Sequence, residues 1–295
     1  MRSVGFIGVG IMGSRMCRNI LKAGFPLVVC DLDSEAVSAL EKEGATSAAT
    51  AADVAKQVDV LLLSLPNSPE VEEVALGGGG IVEGAHAGLI IGDLSTVAPA
   101  TPQRMSAEFK PHGVDWLDTP VSGGPAGAEA GTLTIMVGGD PDAVERSRPV
   151  FEAMGRIEYM GSSGLGATTK IVNQLACGVE MLAMFEAFTV GVAAGIEANR
   201  LWEVLHTSTS RCWIMEDLVK SVVLTNRFDQ PRFALRLMHK DIRIAVETAN
   251  ALRVPAAALA LSEQMYSLAE SLGWGEQDHM AVINLYGKAA GIERW

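Results

Sequence analysis

The amino-acid sequence predicts a two-part molecule: an α/β domain on a mostly parallel sheet, then an all-α domain, joined by one long helix. Three observations carry this. Short apolar runs alternate with helical patterns through the first half of the chain. Strand signals stop near residue 160, and only helical patterns follow. A glycine-rich turn, GVGIMG at 8–13, lies between the first apolar run and the first helical pattern.

Taken in order, the predicted strands are 3–8, 26–31, 58–66, 88–93, 114–120 and 132–139. Each is a short apolar run, several rich in Val and Ile, bounded by Gly, Pro or Asp. Helices are expected between them at 11–23, 34–43, 50–57, 69–76, 99–111 and 141–153, with Ser34 and Glu35 marking a helix start. The boundary is placed after residue 162, giving parts 1–162 and 163–295. Helices are then expected at 165–194, 198–208, 212–225, 234–252, 256–273 and 278–289. In the first of these, Leu175, Val179, Leu182 and Phe185 recur at helical spacing among small residues, which predicts burial on most sides.

Composition narrows the function. The chain has 295 residues, 48% apolar and 20% charged, enough for two cored domains. Its net charge of −12 opposes nucleic acid and anionic membranes, so neither is expected as a partner. An anionic ligand must then be held by local charges or backbone donors. Cys17, Cys30, Cys177 and Cys212 are far apart, which reads as reduced thiols in a cytoplasmic protein. The start, MRSVGFIGVGIMG, lacks the block and cleavage site of a signal peptide. Charges interrupt every run approaching the roughly 18 apolar residues of a membrane helix. The histidines show no metal-ligand spacing, and no metal is expected.

Four motifs carry chemistry. In GVGIMG, Gly8 permits a tight turn, Gly10 lets a pyrophosphate approach the backbone, and Gly13 permits close helix packing. The whole turn, Ile11 and Met12 included, is assigned to a dinucleotide. Asp31, ending the second strand, can accept from a ribose hydroxyl and would repel a 2′-phosphate, which favours NAD over NADP. LPNSP (65–69) and DLST (93–96) end two further strands at the edge where parallel sheets bind ligands, so Leu65, Pro66 and Thr96 are cofactor candidates. Each stretch also suits an ordinary turn or helix cap.

In the third motif, DTPVSGGPAGAEAGTL (118–133), Ser122, Gly123 and Gly124 can offer a hydroxyl and two N–H groups to a carboxylate. A loop chosen only for flexibility would look the same. The fourth is GATTKIVNQ (166–174), where Lys170 is the one charge. Burial disfavours a charged lysine. Such a group can trade a proton with a substrate oxygen. Asn173 and Gln174 follow at helical i+3 and i+4. The plain alternative is a lysine snorkelling off a helix start. Lys240 and Asp241 stand together in FALRLMHKD (233–241), where Arg236, Lys240 and Arg243 also suit a solvated basic face.

GFIGVGIMG, DTPVSGGPAGAEAGTLTIMVGG, GLGATTKIVNQ and LMHKD, in that order from residue 5 to 241, resemble the signatures of the β-hydroxyacid dehydrogenase family. That family includes 3-hydroxyisobutyrate dehydrogenase and tartronate semialdehyde reductase. The resemblance implies a Rossmann-type domain, a long interdomain helix and an all-α substrate and oligomerisation domain. It implies Lys170 as proton carrier aided by Asn173, and Ser122, Gly123 and Gly124 on a small carboxylate substrate. It puts Thr96 and Lys240 near nicotinamide and substrate, and it implies a homodimer or homotetramer.

Asp31-Leu32 stands where NADP-using members tend to have Asn-Arg. Cys177 stands where 6-phosphogluconate dehydrogenases carry Glu, and imine-reducing relatives usually replace the lysine kept here. The expectation is an NAD-dependent enzyme interconverting a short 3-hydroxy acid and its semialdehyde. A reductase acting mainly on tartronate or succinic semialdehyde is the nearest alternative. A non-catalytic dinucleotide-binding scaffold is opposed by the joint presence of Lys170, Asn173 and the Ser-Gly-Gly stretch. Arg211, with Trp213 in STSRCWIMED (208–217), is the candidate for a second carboxylate on the substrate.

Overall fold

The computed structural model describes residues 2–295, which fall into two compact units divided between Lys170 and Ile171. The first unit carries β1 (Val4–Ile7), α1 (Ile11–Lys22), β2 (Leu27–Cys30), α2 (Ser34–Lys42), β3 (Thr46–Ser47), α3 (Ala51–Ala55) and β4 (Val60–Leu63). There follow α4 (Ser68–Leu76), α5 (Ile81–Gly84), β5 (Ile90–Asp93), α6 (Ala100–Phe109) and β6 (Asp115–Asp118). Then come β7 (Val121–Ser122), α7 (Gly124–Ala130), β8 (Leu133–Gly138), α8 (Pro141–Glu152) and β9 (Gly155–Gly161).

These strands form one sheet in the order β3-β2-β1-β4-β5-β6-β8-β7, with β9 also paired to β8. The run from β3 to β6 is parallel, as is β8 with β9, while β8 is antiparallel to β6 and β7. Alternate residues feed opposite cores. Phe6, Leu62 and Leu117 pack with Met16 and Ile20 of α1 and Phe151 of α8. Ile7, Leu61, Leu63 and Trp116 pack with Val71 of α4 and Met105 and Phe109 of α6. Burial on both faces explains the continuous apolar runs in the sequence.

The six expected strands and six helices of the first unit are present, with five additions: β3, β7, β9, α7 and the one-turn α5. β3 and β7 are two residues each, too short to show a period. β9 is largely exposed and mostly polar in sequence, so it offers no apolar run; its strand character comes from pairing with β8. The stretch 121–130, read as a loop able to hold a carboxylate, is a short strand and a helix. Asn19 of α1 donates to the Ala128 carbonyl at 2.6 Å and ties α7 to α1. α2 starts at Ser34 as expected, capped by Asp33, which accepts from the N–H of Glu35 and Ala36.

α9 (Leu165–Ala193) begins in the first unit and runs into the second, where α10 (Ala198–Leu205), a π-helix (Ile214–Val223), α11 (Leu235–Ala251), α12 (Ala257–Ser271) and α13 (Ile283–Ala289) follow. The π-helix stands where an α-helix is expected. In the second unit Gly178 lets α9 close on its neighbours: a Cβ there would lie 3.2 Å from Ile242, and Ser262 donates to its carbonyl at 2.9 Å. By length and mean hydropathy of 1.6, α9 also suits a membrane, which the sequence reading did not credit. It carries Lys170, Glu180 and Glu186, and the second unit buries its Met181, Leu182, Phe185 and Phe188.

Candidate active site

In the first unit, β1 and β4 lie side by side where the strand order reverses, the place where open parallel sheets take ligands. The three glycines of the β1–α1 turn have different reasons. Gly8 has φ +89°, and a Cβ on it would lie 2.3 Å from the Ser64 carbonyl oxygen. A Cβ on Gly13 would lie 2.0 Å from the Gly8 carbonyl oxygen. Both are required by the fold. Gly10 meets nothing within 4 Å, so nothing inside the protein needs it bare. It caps α1 without a side-chain hydrogen bond or an acid in the first turn, leaving helix N–H groups for an anion. Open space beside bare helix N–H groups fits a pyrophosphate.

Asp31 is held against this turn. Its Oδ2 accepts from the Val9 N–H at 2.6 Å and its Oδ1 from the Asp33 N–H at 2.8 Å. A carboxylate has about four acceptor positions, so capacity remains for ribose hydroxyls. Ile11 and Leu32, beside Gly10 and Asp31 in the chain, are both exposed, while Met12 is packed against the core. After β4, the Leu65 N–H donates to the buried Ser95 hydroxyl at 2.9 Å, and the Ser95 N–H to Asp93 at 3.0 Å. This pair joins the two loops that carry Leu65, Pro66 and half-buried Thr96. Sequence reasoning assigned no role to Ser95 or Asp93. Like Asp31, Asp93 is an acid ending an apolar strand, and that was the available signal.

Ser122 ends β7 opposite Thr134 of β8. Gly123 and Gly124 follow with φ +133° and +60°, a backbone that side chains rarely adopt. A Cβ on Gly124, like one on Gly10, would meet nothing within 4 Å. The hydroxyl and two N–H groups therefore sit at a shaped strand-to-helix turn. Lys170, in the second turn of α9, is 9% exposed, which removes the snorkelling alternative.

The second unit holds the other candidates. Asn173 donates to Gln174 Oε1 at 2.9 Å. Gln174 in turn donates through Nε2 to Asp241 Oδ2 at 2.7 Å. Lys240 Nζ lies 3.0 Å from Asp241 Oδ1. Asn173, Gln174, Asp241 and Lys240 thus form one polar chain across α9 and α11, and Lys240 is not part of a free basic face. Arg236 pairs with Glu276 instead. Asp241 and Gln174 were visible beside their neighbours in the sequence but carried no assignment. Arg211 and Trp213 are exposed before the π-helix, whose Met215 carbonyl accepts from the Trp202 indole at 2.8 Å. Among the described residues no group of His, Cys, Asp and Glu is placed to hold a metal ion.

A Rossmann-type sheet with a bare glycine turn at its switch point and an acid ending the second strand, followed by a helical unit, is the architecture of a dinucleotide-binding protein. Comparison with known proteins agrees. Residues 3–164 match the model for the NAD-binding domain of 6-phosphogluconate dehydrogenase. Residues 164–286 match that for the NAD-binding region of NADP-dependent 3-hydroxyisobutyrate dehydrogenase. The chain is 36% identical to 2-(hydroxymethyl)glutarate dehydrogenase of Eubacterium barkeri, covering 98% of this chain and 96% of that one. It is 39% identical to the NAD-dependent L-serine dehydrogenase of Pseudomonas aeruginosa, over 99% and 100%. The solved structure of Mycobacterium tuberculosis 3-hydroxyisobutyrate dehydrogenase with L-serine superposes with a TM-score of 0.87 at 29% identity, over 97% and 99%. The chain belongs to the β-hydroxyacid dehydrogenase family. It is an NAD-dependent hydroxy-acid or semialdehyde oxidoreductase.

Proposed function

We propose that the substrate is a short 3-hydroxy acid of the form HOCH2–CHR–COO⁻, oxidised to its semialdehyde. The three relatives named above support this. 3-Hydroxyisobutyrate, L-serine and 2-(hydroxymethyl)glutarate share that skeleton and differ in R: methyl, ammonium or carboxyethyl. A protein built for this class needs one fixed carboxylate holder, one proton carrier and a variable pocket for R.

Residues of this chain meet each need. Ser122, with the N–H groups of Gly123 and Gly124, takes the carboxylate; local donors suit a chain whose net charge of −12 would repel an anion at long range. Lys170 takes the hydroxyl proton, and Asn173, one turn on, orients the hydroxyl. When bound, NAD would supply the hydride acceptor. Gly8–Gly13 and Asp31 would hold its phosphates and ribose, with Leu65, Pro66 and Thr96 along its path; the family resemblance assigns Lys240 to the nicotinamide and substrate. Arg211 is the candidate for a charged R. The burial of Lys170, the lone charge of its segment, is the observation that carries the reading. The same reading includes a homodimer or homotetramer in the cytoplasm, checked by light scattering and fractionation.

The test is NADH formation with the three hydroxy acids named above. Turnover of at least one is expected. Silence with all three would sink the proposal.

A further inference from the structure

We propose that Asp118 is a positioning residue for the catalytic helix: its carboxylate, seated on the first backbone N–H groups of α9, sets where Lys170 stands. The inference rests on Lys170 being the proton carrier.

Asp118 ends β6 and is 1% exposed. Its Oδ1 accepts from the Gly164 N–H at 2.8 Å and its Oδ2 from the Ala167 N–H at 2.8 Å. Burial pushes this carboxyl upward, and the donors from Gly164, Ala167 and Gly166 pull it back. A buried carboxylate held by backbone donors belongs at a helix start, where the dipole favours it.

The surrounding backbone is built for this approach. A Cβ on Gly138 would lie 2.7 Å from Asp118 Oδ2. A Cβ on Gly166 would lie 2.4 Å from the Met136 carbonyl oxygen and 2.7 Å from that of Asp118. Both glycines allow β6, β8 and the first turn of α9 to meet backbone to backbone. Ala167 stands three residues before Lys170, on the same side of the helix. From Asp118 the chain also runs straight into the carboxylate-binding stretch: the Thr119 N–H donates to the Asp93 carbonyl at 2.8 Å, and the Met136 N–H to that of Pro120 at 3.0 Å. One side chain therefore registers Lys170 against the strand ends that carry Ser122.

A helix cap that only stabilises would give the same hydrogen bonds, so the test must read chemistry. D118N keeps the shape and one acceptor but sets an amide donor against a backbone N–H. The full-length enzyme is assayed with NAD and whichever of L-serine, 3-hydroxyisobutyrate or 2-(hydroxymethyl)glutarate it oxidises fastest. Calorimetric NAD stoichiometry normalises kcat to folded sites. D118N is expected to lower kcat per site by about ten-fold or more, within the roughly 10²-fold that a misplacement near 1 Å costs. KM and NAD affinity should change little. Deuteration of the carbinol carbon should slow D118N more than wild type. In a K170A background D118N should cost nothing further. D118S, which removes the charge and adds no volume, should reproduce the loss per NAD-binding site if D118N folds poorly. Wild-type kcat per site in D118N, or losses that multiply in D118N/K170A, would overturn the positioning role. Wild-type kcat in K170A would instead remove Lys170 from the chemistry, and the proposal with it.

Discussion

Gln174 donates to Asp241 across α9 and α11 at 2.7 Å, and both side chains are buried. Asp241 carries Lys240 on its other oxygen, so one acid serves an amide and an ammonium. Removing it takes a charged acceptor from the Gln174 amide and the carboxylate from beside the Lys240 ammonium. Asp241→Ala should cost about 1.5–3 kcal/mol, the range for a lost hydrogen bond to a charged group. Urea unfolding, read as a fall in midpoint at constant m-value, measures this. A cost below about 1 kcal/mol would show that Lys240 finds water or another acceptor.

Lys170→Ala should lower kcat by the roughly 10²–10⁴-fold of a lost acid–base group while NAD affinity holds. Lys170→Arg should rescue little, because a guanidinium keeps its proton at neutral pH. Steady-state kinetics with calorimetric NAD binding checks both. A near-wild-type arginine enzyme would mean that charge alone is required.

The glycines of the phosphate turn should separate stability from binding. Gly13→Ala drives a Cβ to 2.0 Å from a backbone oxygen, so it should lower Tm or abolish soluble expression. Gly10→Ala enters open space at φ −64°, so stability should stay within about 0.5 kcal/mol of wild type. Its NAD Kd should nevertheless rise by ten-fold or more, because loss of a direct anion–N–H bond costs about 1.5–3 kcal/mol. Equal NAD affinity in Gly10→Ala would move the pyrophosphate elsewhere.

Asp31→Asn should shift preference toward NADP without abolishing activity. The amide oxygen can still accept from Val9, its NH2 then faces the exposed Asp33 N–H at the cost of that one bond, and the charge that would repel a 2′-phosphate is gone. The ratio of kcat/KM for the two cofactors is the readout. An unchanged ratio would show that Asp31 does not face the ribose.

His279 should make the second unit acid-sensitive. It is buried edge-on to Phe233, with neither ring nitrogen hydrogen-bonded. Burial holds its pKa below the usual 6.5, opposed by Asp278 and aided by Arg232. Between that lowered value and 6.5 the unfolded chain binds more protons than the folded one. Stability should therefore be full above about pH 6.5 and fall as pH drops below it. Denaturant midpoints from pH 8 to 5 should show this loss in wild type and less of it in His279→Leu. Parallel curves would assign the acid sensitivity to other groups.

The sequence alone determined the parallel run of β2, β1, β4, β5 and β6 and the glycine turn after β1. Those features rest on local signals: runs buried on both faces, and glycines where no Cβ can stand. It also singled out Lys170, because an isolated charge in an apolar helix is a local fact. Tertiary structure decided the rest. β9 and the two-residue β7 are strands only because β8 offers them an edge. Asp118 reaches Gly164 and Ala167 from another element, and Gln174 reaches Asp241 from another helix. No periodicity connects such partners. Their pairing follows from desolvation: a buried polar group must find its hydrogen bond wherever the packed chain brings one within reach.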